Sequence, residues 1–175
     1  MARITEVISG ISRLDRRWIF GAIALAVLVP LVLPIAFRAT PSEHTVRFEE
    51  QLDKALAADK PIMVAVDFGP QTMAEMEPVL MAVLHRIFQA DKPAVFLTFL
   101  PEAASPLRAY LAKMEQHYDL TYGEDYVFLG YGTAFAYTIY GMGTSIGDYF
   151  HTDDRGTPLD EMPLTRELEN YEDVA

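Results

Sequence analysis

Two stretches decide the fold: residues 62–68, IMVAVDF, and residues 94–100, AVFLTFL. Both are short, almost continuously apolar and rich in β-branched or aromatic side chains. Strict alternation would mark a strand with one wet face. An unbroken run marks a strand covered on both faces, as in a parallel sheet. Between them, Val79, Leu80, Val83, Leu84, Ile87 and Phe88 recur at helical spacing. Strand, helix and strand in that order form a crossover unit, which is right-handed.

The pattern repeats outward from this pair. Downstream, Ser105-Pro106 reads as a helix cap followed by proline at the first helical position, and Leu107, Tyr110, Leu111, Met114 and Tyr118 line that helix. Residues 126–129, YVFL, make a third strand. Gly130-Tyr131-Gly132-Thr133 then leads into AFAYTIYGMG, a helix interrupted at Gly141 and Gly143. Upstream, Thr45 can cap a helix whose apolar face is Phe48, Leu52, Ala55 and Leu56. Thr72 and Glu75 fit a capping box, and Pro78 suits a first helical turn. The expectation is a Rossmann-like α/β domain over residues 45–150. It would have three layers, a mainly parallel sheet of about three strands, and helices on both faces. Residues 151–175 are rich in Pro, Asp and Glu, and read as an acidic tail with short helical turns at most.

Ahead of the domain lies residues 18–37, WIFGAIALAVLVPLVLPIAF, without one charge. As a helix it would reach about 30 Å, the hydrocarbon thickness of a bilayer. Trp18 and Phe37 bound it, and Trp18 sits where an interfacial aromatic belongs. A cleaved signal peptide is the competing reading. Its apolar core is usually about 7–15 residues with a small-residue cleavage site, and the exit PIAFRATPS offers no good one. A retained single-pass transmembrane helix is therefore expected, with residues 38–44 as a linker. Pro30 and Pro34 each remove a backbone donor from its outer half. Residues 1–17 carry Ile4, Val7, Ile8, Ile11 and Leu14 on one helical stripe, readable as an amphipathic segment or as the start of the membrane helix.

Charge orients this arrangement. The chain holds 14 Lys and Arg against 25 Asp and Glu. Arg3, Arg13, Arg16 and Arg17 precede the span, facing only Glu6 and Asp15, and the excess of acid lies after it. The positive-inside rule then puts the N-terminus in the cytoplasm and the acidic domain outside it. An acidic domain repels phosphate backbones, which argues against nucleic-acid partners. With no cysteine, disulfide and thiolate chemistry are excluded.

Residues 122–131, YGEDYVFLGY, 139–150, IYGMGTSIGDYF, 152–164, TDDRGTPLDEMPL, and 170–174, NYEDV, together resemble an uncharacterised family of bacterial membrane proteins. In that family an N-terminal membrane helix precedes an extracytoplasmic α/β domain. The resemblance implies placement and fold and carries no catalytic assignment. In longer members the tail continues into another apolar strand and a further membrane helix. The resemblance thus implies a chain shortened at its C-terminus, or a separate polypeptide that completes the sheet.

Ligands of open parallel sheets bind beyond the carboxyl ends of the strands. That rule singles out Asp67, Gly69 and Thr72 after the first strand, and Gly132 and Thr133 after the third. Asp67 could serve a hydroxyl or a cation, or merely accept hydrogen bonds from its turn. Gly130-x-Gly132-Thr133 lacks the third glycine of a dinucleotide fingerprint and the lysine of a P-loop, so a tight turn competes with anion binding. His44, His85, His117 and His151 lie in different elements, and none has the i,i+4 partner of a helical zinc site. Ser105 and Ser145 lack a nucleophile elbow. Asp153-Asp154 could touch a cation, but no calcium-loop spacing supports it. No cofactor and no metal ligand set is expected. Phe135, Tyr137, Tyr140, Tyr149 and Phe150 crowd a short region, and Tyr137, Tyr140, Tyr149 and Phe150 are the candidates for partner contact, with packing under the tail as the alternative. The expected function is a non-catalytic structural or interaction subunit of a membrane or envelope assembly, with other membrane proteins and the bilayer as partners. The alternative is a small-ligand or enzymatic pocket at the strand ends.

Overall fold

The computed structural model describes residues 15–33 and 40–175, in two compact units divided after Ser42. The stripe from Ile4 to Leu14, and the stretch from Pro34 through Phe37 to Ala39, lie outside the described residues.

The first unit holds helix α1, Arg16–Val32, 17 residues long. Asp15 caps it by accepting from the Arg17 amide at 3.1 Å. The helix continues through Pro30 to a last bond from Leu33 N to Val29 O, 2.9 Å. Trp18 is 73% exposed. At about 1.5 Å per residue α1 reaches about 25 Å. No helix among the described residues is long and apolar enough to cross a membrane. The apolar run of twenty residues is thus helical over its first three quarters, and its end lies outside the described residues.

The second unit is α/β. Its elements are α2 (Glu43–Ala57), β1 (Ile62–Ala65), α3 (Met73–Gln89), β2 (Ala94–Thr98), α4 (Pro101–Tyr118), β3 (Tyr126–Tyr131) and α5 (Phe135–Met142), followed by single 3-10 turns at Leu159–Glu161 and Tyr171–Asp173. The sheet is wholly parallel in the order β1-β2-β3. Every residue of β2 is buried, as its unbroken apolar run requires.

Both crossovers step in the same direction across the sheet, so their shared hand places α3 and α4 on one face. Leu80, Leu84, Ile87 and Phe88 of α3, and Leu107, Leu111 and Met114 of α4, pack there with Ala94, Phe96, Tyr126 and Phe128. Helix α3 begins at Met73 with Thr72 at its N-cap position, as the sequence suggests, whereas α4 begins earlier than its Ser105-Pro106 signal. Thr72 makes no capping bond, and Pro78 and Pro106 lie inside α3 and α4. Pro101 opens α4, and the buried Ala103 and Ala104 hold the added first turn against the core. Tertiary burial outweighs the one bond that Pro106 forfeits.

The other face carries the main departure from the sequence reading. Val95, Leu97, Val127 and Leu129 are covered there by Met142 of α5 and by Ile146, Phe150, Leu159 and Met162. The acidic tail is a layer of the fold. Leu159 and Met162 are buried and Leu164 and Leu168 half-buried, while most of the tail's acids face water. Sparse hydrophobic residues in an irregular segment carry no period, so they escape pattern reading. The Leu164 amide donates to Gly123 O at 3.0 Å, and the Ile146 amide to Glu169 O at 2.7 Å.

The tail also meets both sheet edges. Asp154 N donates to Phe128 O on β3, 2.9 Å. On β1, Ala175 N donates to Pro61 O at 2.9 Å, and Met63 N donates to Ala175 O at 3.2 Å. The β1 edge is thus paired at Pro61 and Met63 by this chain itself. Between β2 and β3 the register slips by one residue after Phe96↔Phe128. Gly130, at φ +93°, takes up the extra residue in a conformation that suits glycine.

Candidate functional site

The strand ends place the predicted residues in two separate groups. Asp67 follows β1 and is exposed, but its Oδ1 accepts from the Phe99 amide at 2.6 Å and from Thr98 Oγ1 at 3.2 Å. It ties the exit of β1 to the exit of β2. The partner is the neighbouring strand, not the turn that follows Asp67. The Gly69 carbonyl accepts from the Thr72 amide at 3.1 Å and from the Thr72 hydroxyl at 3.3 Å, so this pair closes a turn.

Gly132 and Thr133 belong to a different place. They line a polar cleft of about 340 Å³ together with Tyr131, Ala134, Tyr137, Thr138, Asp148 and Tyr149. This cleft does not include Asp67, Gly69 or Thr72. Gly132 N donates to Thr98 O at 2.8 Å, and a Cβ on it would stand 2.8 Å from the Phe99 ring. Close packing therefore demands glycine here. The Thr138 hydroxyl donates to Thr133 O, and Ala134 is held at φ 52°, ψ 55°, left-handed, between β3 and α5. The cleft has one carboxylate, three phenols and no basic side chain, so its chemistry is that of hydrogen bonding to a neutral or cationic group.

The four aromatics predicted as partner contacts divide as well. Tyr140 is 87% exposed and Tyr137 69%. Tyr149 is half-buried, with its ring centroid 5.2 Å from that of Tyr137. Phe150 is only 5% exposed and closes the second core, so it is a packing residue and not a surface contact. Phe135, 58% exposed, joins the surface set.

A second polar cluster fastens the tail to α4 and β3. Arg108 grips Asp154 with two bonds of 2.5 and 2.7 Å. The Arg155 guanidinium lies 3.4 Å above the Tyr122 ring and 3.7 Å from Glu115. Tyr122 donates to Asp153 at 2.6 Å, and Tyr126 donates to Glu115 at 2.5 Å. Burial, reinforced by these carboxylate acceptors, raises both phenol pKa values well above the ordinary tyrosine range. Asp153, 5% exposed, also accepts from the Arg155 and Thr157 amides. The cation that Asp154 meets is thus an arginine of its own chain, and the Asp153-Asp154 pair anchors the tail. Charge-assisted contacts between residues 46 positions apart leave no local signature.

Among the described residues, no group of three or more His, Asp or Glu side chains is placed to hold a metal ion. No protein-family model, curated protein or solved structure matches the chain.

Proposed function

We propose that this protein is a non-catalytic, single-pass membrane protein whose α/β domain is an interaction subunit of a membrane or envelope assembly. The observation that carries this reading is the aromatic surface of α5. Phe135, Tyr137 and Tyr140 present large side chains to water beside a mostly apolar groove of about 380 Å³. Met63, Ala65, Leu97, Phe99 and Ile139 line that groove, next to Ala175 on the β1 edge. Exposed tyrosines around an apolar groove are the composition of an interface centre. A neighbouring membrane-protein subunit, or a separate chain extending the sheet past Ala175, would cover them.

The apolar run bounded by Trp18 and Phe37 serves as the anchor in this reading. Its arginine-rich N-terminal side faces the cytoplasm, and the acidic domain lies across the inner membrane. The resemblance to the bacterial membrane family supports the same placement. The test is to place a photo-crosslinking residue at Tyr140, then run the native, detergent-extracted protein on a blue-native gel. Crosslinked, higher-mass species are expected. A lone monomer without adducts would overturn the proposal.

The polar cleft of Gly132 and Thr133 supports a second reading, a small-ligand or enzymatic site, because it joins hydroxyls to the Asp148 carboxylate in one concavity. Thermal stabilisation by a sugar or an amine, lost in Thr133→Val, would favour it.

A further inference from the structure

We propose that His85 and His117 form a two-imidazole site for a divalent transition-metal ion of the zinc, nickel or copper type. The two residues are far apart in sequence, and the crossovers bring them together across α3 and α4. Their ring centroids are 5.6 Å apart and the rings are nearly perpendicular, at 88°. An ion bound at about 2.0–2.1 Å to one nitrogen of each imidazole sets the centroids about 5–6.5 Å apart. The observed separation falls within that span.

The surroundings match what such a ligand needs. His85 Nδ1 lies 2.6 Å from the Tyr118 hydroxyl. In the tautomer whose Nδ1–H donates to that oxygen, Nε2 keeps its lone pair for a metal. Tyr118 also stands edge-on to both rings, at 5.7 and 4.7 Å. It braces the pair as an outer partner of the ligands. His85 is half-buried and His117 is exposed, so water can complete the coordination. Two neutral imidazoles without a carboxylate favour the borderline ions over magnesium or calcium, which require oxygen. Binding would link the two helices that cover one face of the sheet, and so stabilise the folded chain. The site is independent of the interaction surface on α5.

The experiment uses the full chain in detergent, free of any affinity tag, near neutral pH. Zinc or nickel should raise the melting temperature by several degrees. Copper(II) should show an electron-paramagnetic spectrum with hyperfine coupling to two imidazole nitrogens. His117→Ala, at an exposed position, should abolish both effects. The double variant His44→Ala with His151→Ala should keep both. No metal-dependent shift in the unaltered protein, or a shift that survives in His117→Ala, would overturn the site. If His85→Ala fails to fold, His117→Ala still decides.

Discussion

The amide of Ala175 donates to the carbonyl of Pro61 at 2.9 Å, across the edge of β1. Met63 N returns a bond to Ala175 O. Removing Val174 and Ala175 frees both groups on an open edge. A cost of about 1–2 kcal/mol is expected, with a greater tendency to associate edge to edge. Hydrogen exchange reads it directly. The Met63 amide should lose protection while the β2 amides keep theirs.

Asp67 is a structural acceptor at the exits of β1 and β2. Asp67→Ala should cost about 1–2 kcal/mol in urea unfolding, because the Phe99 amide and Thr98 hydroxyl lose their partner. Asp67→Asn retains an acceptor and should cost less. A stability change near zero for Asp67→Ala would return this carboxylate to the list of ligand candidates.

Gly141 permits α5 to lie against Tyr149. A Cβ there would stand 1.8 Å from the Tyr149 ring. Gly141→Ala should therefore destabilise by about 1–3 kcal/mol through overpacking. Combined with Tyr149→Ala, the penalty should be smaller than the sum of the two single changes, since one clash would be removed by either.

Two ends of the pH scale probe the tail. Backbone amides of Asn170 and Glu169 donate to Asp173 and hold its carboxyl below the usual range. A depressed folded pKa gives stability that is present above the unfolded value and lost as pH falls through the folded one. Carboxyl titration by nuclear magnetic resonance should find Asp173 below its ordinary value, and Asp173→Asn should remove that acid-range component.

Tyr122 and Tyr126 behave in the opposite sense. Their raised pKa values mean that folding favours the neutral phenol. That contribution is complete below the unfolded value of about 10 and is lost as pH climbs towards the folded one. Ultraviolet titration should show these two among the last tyrosines to ionise. Tyr122→Phe should remove one of them and cost about 1 kcal/mol, since Asp153 keeps its Arg155 and Thr157 donors.

The proposed membrane orientation has its own test. Alkaline phosphatase fused after Ala175 should be active only if the domain crosses the inner membrane. Inactive fusions at full expression would refute the positive-inside reading of Arg16 and Arg17.

By itself the sequence determined the alternation of α3, β2, α4 and β3, because a strand buried on both faces must be apolar throughout and a crossover helix must show its period. It also determined the charge asymmetry around Trp18. Only the tertiary structure decided that Leu159 and Met162 roof the sheet, that Phe150 is core, and that Asp67 spends its oxygen on Phe99. It alone joined Gly132 and Thr133 to Tyr137 and Tyr149, and His85 to His117. The division has a physical cause. Local periodicity follows from backbone geometry and is written along the chain. Contacts made by an irregular segment, or across two helices, depend on where the whole chain returns, and no spacing records that.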